Sequence, residues 1–279
     1  MVNLRDDIDV LHVDDDEQFV ELAATFVERH DDRIAVETAT DPERAVERLT
    51  ERTFDCVVSD YQMPRLDGLG LFEELRNRGV GVPFVLFTGK GSEEIASEAI
   101  SLGVTEYLQK ETGTEQYEVL ANRIRNVVSQ HRAETRMKRG YRALDAAPVG
   151  VLLADVRQKR TPVVYANTRF RELTGCDPGD LLGKDCRSIL ENGSANQPVR
   201  RLCEAIQAEV PASGEMIGYR ENGTELEARI DVAPIGNDTG EPTHFVGFLA
   251  EVDALSNGAG LSDPNRPIGV DGGGLIDPE

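Results

Sequence analysis

Five short apolar runs alternate with stretches of helical period over the first 130 residues, and that alternation limits the fold more than any other feature of the chain. The runs are IDVLHV (8–13), RIAVETA (33–39), FDCVVSD (54–60), VPFVLF (82–87) and VTEYL (104–108). Between the first two, EQFVELAATFVER (17–29) puts Phe19, Val20, Leu22, Ala23, Phe26 and Val27 on one side of a helix. Asp41-Pro42 opens a second helix, as N-cap and first turn, that reaches about Arg52. GLGLFEELRNR (68–78) is a third, stopped by Gly79, and EEIASEAISLG (93–103) a fourth, ended by Gly103; a long helix starts near Thr114. Strands and helices alternating in this way predict an α/β domain, a doubly wound five-stranded parallel sheet with right-handed crossovers.

Such a sheet brings the carboxyl ends of its strands to one edge, where open α/β sheets place their sites. The first run ends at Asp14, Asp15 and Asp16, the third at Asp60, the fourth at Thr88, and the fifth leads to Lys110. An acid after a strand can be a mere turn or helix former, and Asp16 is read as an N-cap. Asp14, Asp15 and Asp60 differ, because two or three carboxylates in one cleft repel unless a divalent cation lies between them. Oxygen ligands that leave room for water suit Mg²⁺. An Asp neutralised in this way can attack phosphorus and form an aspartyl phosphate. The Lys110 ammonium and the Thr88 hydroxyl would then bind phosphoryl oxygens.

The same residues carry a family resemblance. Asp14-Asp15, SDYQMPRLDG, FTGKG and EYLQK, in this order, resemble the receiver domain of two-component response regulators over about residues 7–130. The resemblance implies a flavodoxin-like fold with Asp60 as phosphoacceptor and Asp14 and Asp15 beside it at a Mg²⁺ site. It also implies Thr88 as the switch hydroxyl, Lys110 as the phosphate-pairing lysine and Tyr107 as the switch aromatic. Glu111 departs from the pattern, since the family usually has proline there; this bears on the local turn rather than on the chemistry.

The charge excludes other classes. The net charge is −21, with 51 acids against 30 bases spread along the chain. That surface disfavours nucleic acid and anionic membranes. It suits a cytoplasm of high salt, where screening weakens self-repulsion, and so points to a halophilic source of haloarchaeal kind. The apolar runs are too short to cross a bilayer, and the opening MVNLRDDIDV lacks the basic and apolar regions of a signal peptide. A cytoplasmic protein with no membrane partner is expected. Cys56, Cys176, Cys186 and Cys203 form no C-x-x-C pair and have no His cluster near them, so each reads as a small buried hydrophobe rather than as part of a zinc or disulfide framework.

Residues 114–144 contain no proline and one glycine, Gly140. Apolar or half-apolar positions at 117, 120, 124, 127, 131, 137, 141 and 144 come close to the spacing of a dimer seam, and fit an amphipathic linker helix equally well. The expected organisation is a receiver over 1–130, a linker over 131–146 that continues its last helix, a second domain over 147–253 and a disordered tail over 254–279, which is rich in Gly, Pro and Asp.

In the second domain VGVLLADV (149–156) and PVVYAN (162–167) read as strands, TRFRELTG (168–175) and PVRRLCEAIQAE (198–209) as helices, and DPGDLLGKDCRSIL as broken helix and turn. GEMIGYREN (214–222), TELEARIDVAPI (224–235) and THFVGFLAEV (243–252) are strands, the first two joined at Asn222-Gly223, a hairpin signal. This α+β pattern with an antiparallel sheet resembles a PAS domain. GKDCRSIL, GYRENGT and THFVGF resemble more narrowly the light-oxygen-voltage subclass, which binds a flavin. There Cys186 matches the cysteine that forms an adduct with the flavin, and Arg187 a phosphate-contacting arginine. The polar groups that hold the ring do not persist: Leu190, Gly218, Ala228 and Leu249 stand where the subclass has glutamine, two asparagines and glutamine. Cys203 replaces a second phosphate-binding arginine. Flavin mononucleotide is therefore not expected, and the ligand of this domain stays open.

The function implied is that of a response regulator, phosphorylated on Asp60 by a partner sensor histidine kinase. Output is expected through an unidentified downstream protein and a homodimer along the linker helix. No general base or nucleotide loop supports an enzyme. The alternative is a blue-light photosensor that uses Cys186.

Overall fold

The computed structural model describes residues 7–89, 93–188, 197–220 and 223–252. The chain divides into two compact units with the boundary between Lys138 and Arg139.

The first unit runs β1 (Ile8–Val13), α1 (Glu17–His30), β2 (Ile34–Ala39), α2 (Pro42–Glu51), β3 (Cys56–Ser59), α3 (Gly68–Asn77), β4 (Phe84–Thr88), α4 (Glu93–Leu102), β5 (Glu106–Gln109) and the first part of α5 (Glu115–Asp145). All five strands are parallel, in the order β2-β1-β3-β4-β5. Every residue of β3 and β4 is buried, which is why these strands read as unbroken apolar runs rather than as alternations. Leu11, Val57 and Leu86 face a core closed by Leu71 and Leu75 of α3, while Val10, Val58 and Phe87 face one closed by Ala23 of α1 and Ile124 of α5. Local chemistry sets the helix starts. The carboxylates of Asp16, Asp41 and Asp67 accept hydrogen bonds from first-turn amides of α1, α2 and α3, and Pro42 sits in the first turn of α2.

The seam expected along α5 needs correcting. Tyr117, Leu120, Ile124 and Val127 are buried and complete the core of the first unit, so they are not available to a second copy. Arg125 pairs with Asp31 at 3.1 Å and Arg132 with Asp55 at 2.8 Å, which ties the same helix down through its polar side.

The second unit contains the end of α5, then β6 (Gly150–Asp155), β7 (Val163–Ala166), α6 (Thr168–Thr174), α7 (Pro178–Leu181), α8 (Gln197–Ala208), β8 (Ala212–Tyr219), β9 (Glu225–Gly236) and β10 (Pro242–Glu251). Its sheet is antiparallel, in the order β7-β6-β10-β9-β8. β8 and β9 form the hairpin, with Tyr219 opposite Glu225 and Gly223 at φ 79° in the connection; Asn222 lies outside the described residues. Asn167 is fully buried. Its Oδ1 accepts from the amides of Val151 and Phe170, both at 2.8 Å, and its Nδ2 donates to the carbonyls of Leu144 at 2.8 Å and Val149 at 3.0 Å. One side chain thus caps α6 and joins it to β6 and the end of α5. The tail over 254–279 lies outside the described residues.

Candidate functional site

Four parallel strands of the first unit bring their carboxyl ends together. Asp14 follows β1, Asp60 follows β3, Thr88 closes β4 and Lys110 follows β5. Lys110 Nζ donates to Asp14 Oδ2 at 2.6 Å and to Asp60 Oδ1 at 2.7 Å. Both carboxylates are buried, at 2% and 7% exposure, so this bridge is the local charge balance. The backbone holds it in place: Asp60 N donates to Val13 O at 2.9 Å and Lys110 N to Thr88 O at 2.8 Å. The Gln62 amide donates to the other oxygen of Asp60, Oδ2, at 2.6 Å. Gly68 opens α3 against this loop, and a Cβ there would lie 2.2 Å from the Asp60 carbonyl oxygen. Burial raises the Asp14 carboxyl above its ordinary range, while the Lys110 bond works against that rise.

Beneath the lysine is an aromatic floor. Lys110 Nζ lies 4.1 Å from the Phe19 ring centre and 5.8 Å from that of Phe87. His12 packs against both rings, with its Nε2 buried and unpartnered. Burial, and secondarily the nearby Lys110 charge, lowers its pKa to about 3, so the ring is neutral. Tyr107 packs against the core that faces α3; its hydroxyl is buried without a hydrogen-bond partner, and burial raises its pKa. Thr88 is buried at 1% exposure.

Among its described residues the second unit has no comparable charge cluster; its main feature is a hollow of about 310 Å³ between the sheet and helices α6 to α8. Its wall includes Leu152, Phe170, Leu181, Ile206, Met216 and Ile230. Gly218, Ala228 and Leu249 also line it, as does Cys186, which is 4% exposed. Burial pushes the Cys186 thiol up to about 12, so it is a neutral thiol. Arg187 turns its guanidinium onto Asp185, with Nε to Oδ1 at 2.9 Å and Nη2 to Oδ2 at 2.6 Å. Lys184, at the rim, pairs with Asp180 at 3.1 Å.

A response regulator receiver domain matches residues 10–124, and a PAS domain matches residues 148–253. The chain is a receiver domain followed by a PAS domain. Among known proteins it is similar to a bacterioopsin transcriptional activator of Halobacterium salinarum, at 26% identity over 235 residues, covering 80% of this chain and 35% of that protein. It is also similar to a blue-light photoreceptor of Listeria innocua, at 28% over 116 residues, covering 42% of this chain and 46% of that protein. The chain therefore spans less than half the length of either relative. Among solved structures, the Rhodobacter sphaeroides LOV protein is 25% identical, with a TM-score of 0.39 over 45% of this chain and 71% of that one.

In the receiver the structure brings together Asp14, Asp60, Thr88 and Lys110. Asp15 is exposed beside them and takes no part in the lysine bridge. Among the described residues no group of three or more His, Cys, Asp and Glu side chains is set to hold a metal ion. The oxygen donors of Asp14, Asp15 and Asp60 nevertheless lie on one edge and are of the type that suits Mg²⁺. Glu111, in place of the family's proline, donates its amide to Gln116 Oε1 at 3.1 Å, a bond that proline could not make. His12, Phe19, Phe87 and Asn167 were not legible as site or joint residues. His12 joins the aromatic floor only once α1 and β4 bring Phe19 and Phe87 against it. In the PAS domain Cys186 lies on the cavity and Arg187 is paired with Asp185; Leu190 lies outside the described residues.

Among the described residues no helix is long and apolar enough to cross a membrane.

Proposed function

We propose that Asp60 accepts a phosphoryl group from a histidine of a partner sensor kinase, and that the chain couples this event to its PAS domain and to a downstream protein. The observation that carries this reading is the buried Asp14–Lys110–Asp60 bridge at the strand ends. An Asp60 oxygen attacks phosphorus, and the P–N bond to the donor imidazole breaks with its electron pair returning to nitrogen. Lys110 is within reach to exchange its bond to Asp60 for one to a phosphoryl oxygen, so the added charge meets a cation already in place. Asp14, Asp15 and Asp60 are the residues that would hold Mg²⁺, whose charge offsets that of the phosphoryl oxygens. Thr88 and Tyr107 would respond to the added charge, as the receiver resemblance implies.

Incubation with acetyl phosphate and Mg²⁺, followed by intact mass, tests the assignment. Wild type should gain one phosphoryl group and Asp60→Asn none; equal gain by both would remove Asp60 from the role.

Dimerisation rests on what α5 leaves uncovered. Met137 and Tyr141 are 59% and 51% exposed. Light scattering of the full chain at high salt should show a dimer that Met137→Glu with Tyr141→Glu disrupts; a monomer with and without phosphate would dismiss it.

A further inference from the structure

We propose that the PAS cavity binds a small, uncharged, lipophilic molecule and rejects flavin mononucleotide. At about 310 Å³ the hollow lies at the lower end of the range of small-molecule pockets, roughly 300–1,000 Å³. A flavin ring brings a polar edge of carbonyl and N–H groups, each of which needs a partner once buried. Gly218, Ala228 and Leu249 lie on the wall at three positions from which such partners would have to come, and none carries a polar side-chain atom. Ala228 and Leu249 are buried at 1% and 4% exposure, so water does not readily substitute for them.

Charge points the same way. The phosphate of flavin mononucleotide needs a cation, and the matched arginine, Arg187, is already engaged. Arg187 engages Asp185 through Nε and Nη2, and Lys184 pairs with Asp180. The Lys184–Asp180 pair at the rim is neutral as a unit, so neither a strong anion nor a cation is favoured there. The two thiols on the wall, Cys176 and Cys186, are small, polarisable groups that pack well against apolar matter. Thr174, Asp180, Lys184 and Ser188 are the polar members of the lining; the rest is apolar, and such a surface accepts apolar guests. A neutral molecule of about two fused or linked rings, or a short branched hydrocarbon chain, matches both volume and lining.

Fluorescence titration of the full chain with N-phenyl-1-naphthylamine, a neutral two-part aryl probe, tests this. The expected result is one saturable site per chain with enhanced, blue-shifted emission, and no binding of flavin mononucleotide under the same conditions. Ala228→Phe, which fills the hollow, should weaken probe binding at least tenfold while the melting temperature stays at or above that of wild type. Ala228→Asn with Leu249→Gln changes volume little and adds polarity; it should also weaken the probe at least tenfold, and it decides the matter if the first variant does not fold. The proposal fails if the folded wild type shows no saturable binding, if the cavity variants bind the probe as wild type does, or if flavin mononucleotide binds stoichiometrically.

Discussion

The two domains present opposite solutions to placing a site beside a sheet. In the receiver, parallel strands end together, and what collects there is charge: Asp14 and Asp60, each within hydrogen-bond distance of Lys110. In the PAS domain an antiparallel sheet faces helices across a gap, and what collects there is apolar surface around a void, a hollow walled mainly by Leu, Ile, Met and Phe with the Lys184–Asp180 pair at its rim. The difference teaches where each site's energy lies. The receiver site depends on a few strong, mutually dependent interactions at low dielectric. The PAS site depends on many weak contacts that a guest would complete.

The largest expected effect tests the charged half. Lys110→Met leaves two buried carboxylates without their cation, and breaking a buried pair in this way costs about 3–5 kcal/mol. Urea denaturation at neutral pH should show that loss. The Asp14 carboxyl, already raised by burial, rises further without the lysine. A raised acid favours the folded state below its unfolded pKa and loses that contribution as pH rises through the folded value. The variant should therefore recover toward wild type as pH falls. Equal stability of the two proteins at pH 7 would show that the bridge is not the charge balance.

A smaller effect tests the apolar half. Ala228→Asn puts an amide into the hollow, where unpaired polar groups cost about 1–3 kcal/mol. Thermal unfolding measures it. An amide tolerated at no cost would mean that the hollow is wet, and the contrast between the domains would weaken.

The smallest sharpens the comparison within the receiver. Asp31 is also buried, but its partners Arg33 and Arg125 are exposed at 46% and 41% of their side chains. The hydrogen bond from Arg33 chiefly holds its carboxyl at about 2, against an ordinary 3.8, the opposite direction from Asp14. After discounting for solvent screening, Asp31→Asn should cost about 1–2 kcal/mol. The stability Asp31 contributes is present in full above pH 3.8 and is lost as pH falls through about 2. The gap between wild type and Asp31→Asn, followed by denaturation from pH 6 to pH 2, should close on that schedule.

The receiver was legible because its sheet is buried on both faces and its site residues are punctuation. Cys56 to Ser59 read as a strand because every one of them is buried, and Asp60 stood out because an acid ends that run. The edges moved by one or two residues: β4 begins at Phe84 rather than 82, and includes Thr88. The aromatic floor under Lys110 was hidden, since Phe19 and Phe87 look like any core residues until α1 and β4 bring them to the ammonium. The α5 spacing misled because the same three-four pattern serves a dimer seam and a helix packed on its own sheet.

By itself the sequence determined the alternation of strands and helices, the parallel edge where polar strand ends must meet, and the apolar residues at Gly218, Ala228 and Leu249. Those follow from local period and residue chemistry, which the chain carries in order. The tertiary structure alone decided that Lys110 bridges Asp14 and Asp60, that Asn167 joins four backbone groups, and that the PAS lining leaves a hollow rather than a filled core. Each of these depends on distances between residues far apart in sequence or on volume left unfilled, and no local pattern encodes either.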